Sequence, residues 1–562
     1  MEAIDQGPAR SRPSWPTRVA LGVASVIPSG VFAWQVLRLR QWLVDDALIS
    51  MAYARTLAAS GRWAQTVSDP QVEGVSNPAW TLMLAGLKRL GLFDSGGSLL
   101  GFADYLVVFR VLTLVAFVAA HLLLARAVAK ILPGAGQLVS AAAMLLLATS
   151  TPFVVWMASG LENPLYAVVV AALAAGLVRW HQTDRLISPG AAVSAGLLAF
   201  AAAVTRPDGL IFVAAYPLAV LAGARRGQVR GGLLAIGVHL GVCAVGLAAL
   251  FGWRYATFAA WVPNTAVAKG QGLDLVASLR RTPELAGALS WPWLALLVAG
   301  TVAVFVARAT SRRVVMVASV PVVLSACAYL ILEKDWMGEC RFATPLLVSA
   351  AVLTAVVAAA WLAPRPEPAG RVVTAVAAAT LTVAVVGSSA VMFPRMATFI
   401  PGPTVGECRI VERYGRLFNF YADELHLGRE TLALPDIGGT LLVSRLRVLD
   451  LAGLTEPTIA RYLGVGDAKG LADYVFETQR PALMNLHGSW TAPLRSDPRL
   501  KRDYVRLASE GDWVRRDIAE RTPNFSDISK AGGELLQQVE KRYQAQLSGG
   551  CGALTVGEPL RP

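Results

Sequence analysis

Acidic and basic side chains occur in six short clusters before residue 343 of the chain. Two adjacent carboxylates, Asp45 and Asp46, form the first cluster. Two of the other clusters contain acids and amides, and the remaining three contain Arg or Lys; the candidates are Glu73, Asn77, Trp80, Glu162, Arg206, Asp208, Asn264, Lys269, Asp335, Trp336 and Arg341. A carboxylate can serve as general base toward a hydroxyl group, and cations can neutralise a phosphate leaving group. The clusters therefore predict group transfer from a phosphate-bearing donor to a hydroxyl acceptor.

The composition indicates where such chemistry would take place. Of the 562 residues, 55% are hydrophobic and 16% are charged, and the mean hydropathy is +0.51. Soluble domains carry about 25% charged residues. A soluble multidomain enzyme is thereby excluded, and a polytopic α-helical membrane protein is indicated. The net charge of +13 fits basic cytoplasmic loops, so we expect a lipid bilayer and no nucleic acid as partner.

Apolar runs long enough to cross a bilayer must position the clusters. We expect about eleven, near residues 19–37, 105–125, 137–155, 163–179, 188–204, 209–224, 231–252, 288–307, 314–332, 343–363 and 372–392. With the first run read as an uncleaved helix that starts in the cytoplasm, each predicted cytoplasmic turn carries Arg or Lys. The odd number of spans then places the C-terminus outside the plasma membrane.

Two domains follow from this pattern. We predict a transmembrane catalytic domain over residues 1–394, with a long first outer loop at 38–104. Helices at 46–60 and 78–92 would lie on the outer membrane face. Residues 395–562 are predicted to form a soluble extracytoplasmic α/β domain.

Within this second domain, apolar runs at 431–435 and 447–451 predict strands, and amphipathic patterns at 410–425 and 533–547 predict helices. Cys408 and Cys551 would share the oxidising side of the membrane and could pair there.

The six clusters all follow predicted spans on the outer side, which predicts one shared cleft at the membrane surface. Other roles are open for individual members. Asp45 and Asp46 could cap the helix that follows them. Arg206 and Lys269 could anchor span ends among lipid headgroups, and Trp80 and Trp336 fit an interfacial aromatic belt. No cluster has the His and Cys spacing of a metal site, and we find no nucleotide-binding loop.

Seven segments, taken in order, resemble one known superfamily. They are the run from Asp45 to Leu57, Val72 to Trp80, Ser159 to Glu162, Arg206 to Gly209, Pro263 to Lys269, Asp335 to Phe342, and Val448 to Leu454. Together they resemble the GT-C membrane glycosyltransferases, and more closely the group around the mycobacterial cell-wall β-(1→2)-arabinofuranosyltransferase. One departure is Glu333-Lys334, which stands where relatives usually have a glycine pair.

The resemblance implies an inverting glycosyltransferase that takes a sugar, arabinofuranose by this likeness, from decaprenyl phosphate or a similar polyprenyl carrier. The acceptor would be a cell-envelope glycan such as the arabinogalactan of actinobacteria. Asp45 or Asp46 would be the catalytic base. Arg206, Lys269 and Arg341 would hold the donor phosphate. The remaining candidates would contact sugar or order the loops: Glu73, Asn77, Trp80, Glu162, Asp208, Asn264, Asp335 and Trp336.

Some members of the superfamily use a divalent cation. With no carboxylate cage beyond Asp45 and Asp46, we favour no metal and no cofactor. Two other functions stay open. A transporter or flippase of lipid-linked sugars would need polar groups at mid-membrane depth, and a non-catalytic cell-wall scaffold would not need clustered carboxylates and cations.

Overall fold

The computed structural model of the chain describes residues 15–133, 135–270, 275–332, 335–363, 369–544 and 550–560. Up to residue 399 the described chain is mainly helical. The helices there are α1 Trp15–Arg38, α2 Asp46–Ser60, α3 Pro78–Arg89, α4 Asp104–Val128, α5 Gly136–Thr149, α6 Thr151–Ala158, α7 Asn163–Gln182, α8 Pro189–Thr205, α9 Ala215–Gly223, α10 Val229–Phe258, α11 Asn264–Lys269, α12 Leu275–Arg280, α13 Thr282–Leu289, α14 Trp291–Ala307, α15 Arg312–Ile331, α16 Thr344–Leu362 and α17 Ala369–Phe399. A two-residue hairpin, β1 Ser98–Leu99 and β2 Phe102–Ala103, precedes α4.

The predicted membrane-spanning runs fall on these helices. Among the described residues, six helices are long and apolar enough to cross a membrane, or up to eight when each of two bent helix pairs is one span. Two shorter apolar helical stretches, Pro189–Thr205 and Pro207–Gly223, lie on two further predicted runs. The polytopic helical fold is therefore confirmed.

Two predicted spans are bent. Helices α5 and α6 meet at 74°, and the segment before α14 meets that helix at 97°. In each case a proline follows within two residues of the break, Pro152 in α6 and Pro292 in α14. Proline has no backbone N–H for the helix ladder and fits the first turn of a new helix, so each run restarts there in a new direction.

Helix α16 lies at the centre of the bundle. Nearly all its residues are buried, and it packs against α5, α7, α14 and α15. Its sequence is rich in Ala and Val, whose small side chains let neighbouring helices approach closely.

The two helices expected in the first outer loop are both present. Helix α2 covers the predicted residues, and α3 ends at Arg89, three residues before the predicted end. Helix α2 packs against α3 and also against the helix Gly438–Val443 of the later part of the chain. Most residues of α2 are therefore buried.

The chain after α17 forms helices around one sheet. Helix α17 continues through residue 394 to Phe399, and the boundary at 394/395 stays a prediction. The elements that follow are α18 Glu407–Ile410, a π-helix Val411–Arg416, α19 Leu417–Glu424, β3 Thr431–Leu434, α20 Gly438–Val443, β4 Arg447–Asp450, α21 Pro457–Val465, α22 Ala468–Asp473, a π-helix Tyr474–Gln479, β5 Leu483–Asn485, α23 Ala492–Ser496, α24 Pro498–Asp503, β6 Tyr504–Arg506, β7 Asp512–Arg515, α25 Arg516–Arg521 and α26 Phe525–Gln544.

The sheet has the strand order β4-β3-β5-β7-β6. Strands β4, β3 and β5 are parallel, whereas β7 runs antiparallel to both β5 and β6. Leu432 and Leu434 of β3 join one hydrophobic cluster and Ala433 joins another, so both faces of the sheet are covered. The predicted strands at 431–435 and 447–451 are confirmed as β3 and β4. The predicted helices correspond to Glu407–Glu424 and α26, and residues 545–547 lie outside the described residues.

A short segment joins the two parts of the chain. Val44 forms an isolated antiparallel bridge with Gly406, and the carboxylate of Glu407 accepts a hydrogen bond from the Leu43 N–H at 2.8 Å. Next to it, Cys408 and Cys551 form a disulfide, as the sequence allowed. The bridge holds the segment before α2 against the C-terminal elements, and the disulfide ties Cys551 to that same stretch of the C-terminal part.

Candidate active site

Asp45 lies buried at the residue before α2. Its carboxylate accepts hydrogen bonds from the backbone N–H groups of Gly438, at 3.1 Å, and Gly439, at 2.7 Å. Its side chain makes no capping bond within α2, so the capping role is not the one it has here. Burial raises the pKa of Asp45 well above its ordinary value, and the charge of Asp436 raises it further, while the two N–H donors oppose this.

Asp46 is the more accessible of the two acids, with 26% of its side chain exposed. Its Oδ2 lies 3.7 Å from Nη1 of Arg341, and the same Nη1 lies 3.4 Å from Oδ2 of Asp335. Burial raises the pKa of Asp46, whereas the charges of Arg341 and Lys269 lower it. Asp46 is thus a reachable carboxylate whose pKa is raised overall, with two cations limiting the rise.

Arg341 is buried and incompletely satisfied. Its Nη1 also faces the Met337 sulfur, at 3.0 Å, but its Nε has no hydrogen-bond partner among the described residues. Lys269 at the end of α11 is exposed, and its charge acts on Asp46. These two cations and Asp46 can face a bound anion together.

A second group of predicted residues forms a buried network. Glu162 accepts from Arg206 Nη1 at 2.6 Å and from Asn77 Nδ2 at 2.7 Å. Arg206 Nε donates to Asp208 at 2.8 Å, and Ser50 of α2 exchanges hydrogen bonds with Asn77. Burial raises the pKa of Glu162, but the charges of Arg206 and Arg341 outweigh it and the pKa is lowered. The network fixes α2 and α3 against the ends of the membrane helices.

Three more predicted residues contact other parts of the protein. The Glu73 carboxylate receives both Nε and Nη2 of Arg254 at 2.8–3.1 Å, and its carbonyl accepts from the Asn264 N–H at 3.1 Å. Asn264 Nδ2 donates to the Gly453 carbonyl at 2.7 Å. Trp80 is buried and donates to the Gly160 carbonyl at 3.2 Å. These contacts fit the loop-ordering alternative rather than direct sugar binding.

The sixth cluster is partly described. Trp336 is 60% exposed, whereas Asp335 is nearly buried against Arg341. Glu333 and Lys334, where the sequence departs from its relatives, lie outside the described residues.

Three functional candidates were missed from the sequence. Asp436 and His487 lie in the C-terminal part, and Arg254 lies in the last turns of the apolar helix α10, where a charged residue is itself a signal. For Asp436 the signal is an acid just before two glycines that follow a predicted strand. A three-residue strand before His487 leaves no comparable signal.

Two solved structures are similar to this chain in fold. ArnT from Cupriavidus metallidurans, solved with undecaprenyl phosphate, matches with a TM-score of 0.53 at 12% identity, over 89% of this chain and 98% of that one. The oligosaccharyltransferase AglB from the archaeon Archaeoglobus fulgidus, solved with an inhibitory peptide and a dolichol-phosphate, matches with a TM-score of 0.50 at 11% identity, over 84% and 70%. The chain has the GT-C fold. No protein-family model and no curated protein matches the sequence.

The GT-C fold gives the clusters a common setting. The structure brings Asp45, Asp46, Asp335, Arg341 and Lys269 together, and it places Glu162 and Arg206 behind them. Glu407, Cys408 and Cys551 form the one described group with metal-ligand spacing, but its two sulfurs are bonded to each other.

Proposed function

We propose that the protein is a polyprenyl-phosphate-sugar-dependent glycosyltransferase. The main observation behind this proposal is the contact of Asp46 with Arg341, beside Lys269 and Asp335, at the start of α2 in a GT-C fold. A carboxylate lies here next to two cations, and one N–H of Arg341 has no hydrogen-bond partner among the described residues. This arrangement suits a reaction in which a hydroxyl attacks a sugar and a phosphate leaves.

In this reaction Asp46 is the base. It is the reachable acid, and a pKa raised by burial suits a carboxylate that must take a proton, whereas both Asp45 oxygens are engaged by backbone N–H groups. Asp46 removes the proton of the acceptor hydroxyl as the oxygen attacks the anomeric carbon, and the bond to the phosphate oxygen breaks on the opposite face. The anomeric configuration is inverted.

Arg341 and Lys269 stabilise the leaving phosphate. Arg341 has an Nε–H free of partners within the described chain, so it can donate to a phosphate oxygen without breaking another hydrogen bond. Arg206 donates to Glu162 and Asp208, which supports a role in holding the loops more than a role as phosphate ligand. Asp46 and Asp335 face Arg341, so the proposal includes no metal ion.

The sugar and its acceptor are proposed from the sequence resemblance. The seven motifs favour arabinofuranose carried on decaprenyl phosphate and a cell-envelope arabinan as acceptor, in an actinobacterial wall. ArnT and AglB were solved with undecaprenyl phosphate and a dolichol-phosphate, so polyprenyl phosphates are the carrier class to test first.

We also propose that the site faces the outside of the plasma membrane. The Cys408–Cys551 disulfide supports this orientation, because disulfides persist in oxidising compartments and are rare in the cytosol. The basic residues of the predicted cytoplasmic turns support it independently.

The test is a transfer assay with purified protein, decaprenyl-phospho-arabinofuranose and a short arabinan, with and without EDTA. We expect product, and Asp46→Asn should lower the rate by about 10²- to 10⁴-fold while polyprenyl phosphate still binds. Asp69→Asn, in the same loop but paired with Arg447 at 3.9 Å, is the matched control and should stay active.

Asp45→Asn should also lower the rate, because an amide has one acceptor oxygen for two N–H donors. A folded protein that moves the lipid donor across a vesicle membrane but does not transfer its sugar would favour the flippase alternative. Full activity of both variants would remove this acid pair from the mechanism.

A further inference from the structure

Two polar side chains of the C-terminal sheet lie at one edge of it. Asp436 follows β3 and His487 follows β5, and these strands are parallel neighbours. Oδ2 of Asp436 lies 2.9 Å from Nε2 of His487. The edge beyond the carboxyl ends of parallel strands is where open α/β sheets commonly bind ligands.

His487 is held in place from behind. Its ring stacks on Tyr414, with 5.4 Å between the ring centroids, and its Nδ1 contacts Oδ1 of Asn485. Nδ2 of Asn485 donates to Asp512, which is fully buried and also receives Arg413 at 2.9 Å. Tyr414 and Asn485 contact the ring, and Asp512 and Arg413 hold Asn485 in place, so these four residues fix the orientation of the ring.

These contacts determine where protons are. Because Asn485 turns its amide nitrogen to Asp512, its oxygen faces His487, so Nδ1 of His487 must carry a proton. Nε2 faces a carboxylate oxygen, and that contact also needs a proton between the two atoms. The pair therefore holds one shared proton, and the carboxylate oxygens of Asp436 keep lone pairs that can accept further hydrogen bonds.

The Asp436–His487 pair faces the acids of the first loop. The charge of Asp436 acts on both Asp45 and Asp46, and Gly438, two residues later, contacts Asp45 directly. Side-chain exposure is 30% for Asp436 and 37% for His487, close to the 26% of Asp46. Asp46 and the pair are thus all partly exposed, and the contact of Gly438 with Asp45 joins the two segments that carry them.

The charge distribution indicates which ligand fits there. The cations Arg341 and Lys269 act on Asp46 together with Asp335, whereas Asp436 brings a third carboxylate to the side of Asp45 and Asp46. A phosphate beside Asp436 would meet three acids, but neutral hydroxyl groups can donate to these carboxylates. We propose that Asp436, oriented by His487, binds hydroxyl groups of the acceptor glycan and presents one of them to Asp46, an inference that rests on the proposed function.

The test separates acceptor binding from donor binding. For Asp436→Asn and His487→Asn we expect the acceptor KM to rise by about 10- to 100-fold, as for a lost charge-assisted hydrogen bond, with the donor KM unchanged. The affinity for a short arabinan oligosaccharide, measured by calorimetric titration in the absence of donor and thus of turnover, should fall to the same extent. His487→Gln covers the case in which His487→Asn fails to fold.

Two control variants match these changes. His426→Asn removes an exposed histidine after α19, and Glu477→Gln removes an exposed carboxylate that pairs with Arg499. Both should leave the acceptor KM and oligosaccharide binding as in the unmodified protein.

The outcomes are distinguishable. An unchanged acceptor KM in folded His487 and Asp436 variants, or a rise in the donor KM instead, would overturn the acceptor assignment while transfer itself stands. Oligosaccharide binding that needs His487, in a protein without transfer, would keep the glycan site and overturn the proposed enzyme. No binding and no transfer would overturn both.

Discussion

The carboxylate of Asp45 accepts a hydrogen bond at 2.7 Å from the backbone N–H of Gly439, which lies 394 positions further along the chain. The first outer loop therefore does not place its acid alone. The start of α20 determines where Asp45 lies, and through the peptide bond it determines where Asp46 lies.

Gly438 tests this dependence. A Cβ at this position would lie 2.1 Å from the Asp45 carbonyl oxygen and 2.6 Å from its Oδ1, so Gly438→Ala must displace the acid pair. A displacement of about 1 Å can lower a rate about 10²-fold. We expect transfer to fall by at least about tenfold in the assay described above, with donor binding retained. Gly428→Ala, whose Cβ would meet nothing within 4 Å, should transfer at the normal rate, and equal rates for both variants would contradict the dependence.

The pair of Arg206 and Glu162 should contribute strongly to stability. Arg206→Met leaves Glu162 buried without its cation, which costs about 3–5 kcal/mol of unfolding free energy. Thermal unfolding in detergent should report this as a large drop in Tm. Arg225→Met, which breaks an exposed pair with Asp184 at 3.6 Å, should change stability by less than about 1 kcal/mol. Similar Tm changes for both would show that Arg206 is not buried as described.

Glu407 should make stability depend on pH. Burial raises its pKa to about 8, while the Leu43 N–H and the charge of Arg110 oppose this. Its folded pKa lies above its unfolded value, so the folded state binds more protons and stability falls as pH rises from about 4.5 to about 8.

Glu407→Gln removes the titrating group but keeps an acceptor for Leu43. We expect the Tm of this variant to equal the unmodified Tm near pH 5 and to exceed it at pH 8, where the unfolding free energies should differ by an amount on the order of 3 kcal/mol. A Tm difference that does not change between these pH values would contradict the protonated state of Glu407.

The disulfide should stabilise the C-terminal elements. Replacing Cys408 and Cys551 by Ser should lower the unfolding free energy by about 2–5 kcal/mol. Reducing agent should lower the Tm of the unmodified protein and leave that of the double variant unchanged. Cys327→Ser, which removes an exposed free cysteine, is the control. Peptide mapping under non-reducing conditions should recover the Cys408–Cys551 pair.

Local patterns were sufficient for part of the elements, whereas strands β5, β6 and β7 were not predicted. The apolar runs predicted the membrane helices, and the runs at 431–435 and 447–451 predicted β3 and β4, because burial of such runs needs no information from distant residues. The bends before α6 and α14 were missed, although Pro152 and Pro292 mark them in the sequence.

The site could be predicted only as a set of candidates. The positive-inside pattern indicated that the clusters share a side, and the structure brings Asp46, Arg341, Asp335 and Lys269 together. Which acid is reachable depends on Gly438 and Gly439, and His487 is placed through Asn485 and Asp512. Such contacts across hundreds of residues leave no local pattern.

The bridge between Val44 and Gly406 has a consequence for biosynthesis. A ribosome makes Asp45 early and Gly439 late, so a nascent chain already inserted in the membrane has its acid pair but not the backbone N–H groups that orient it. The site is completed only after the C-terminal elements have folded against α2. We therefore expect a chain that has not yet been synthesised as far as Gly439 to be a poor catalyst, even when lipid-linked sugar is present.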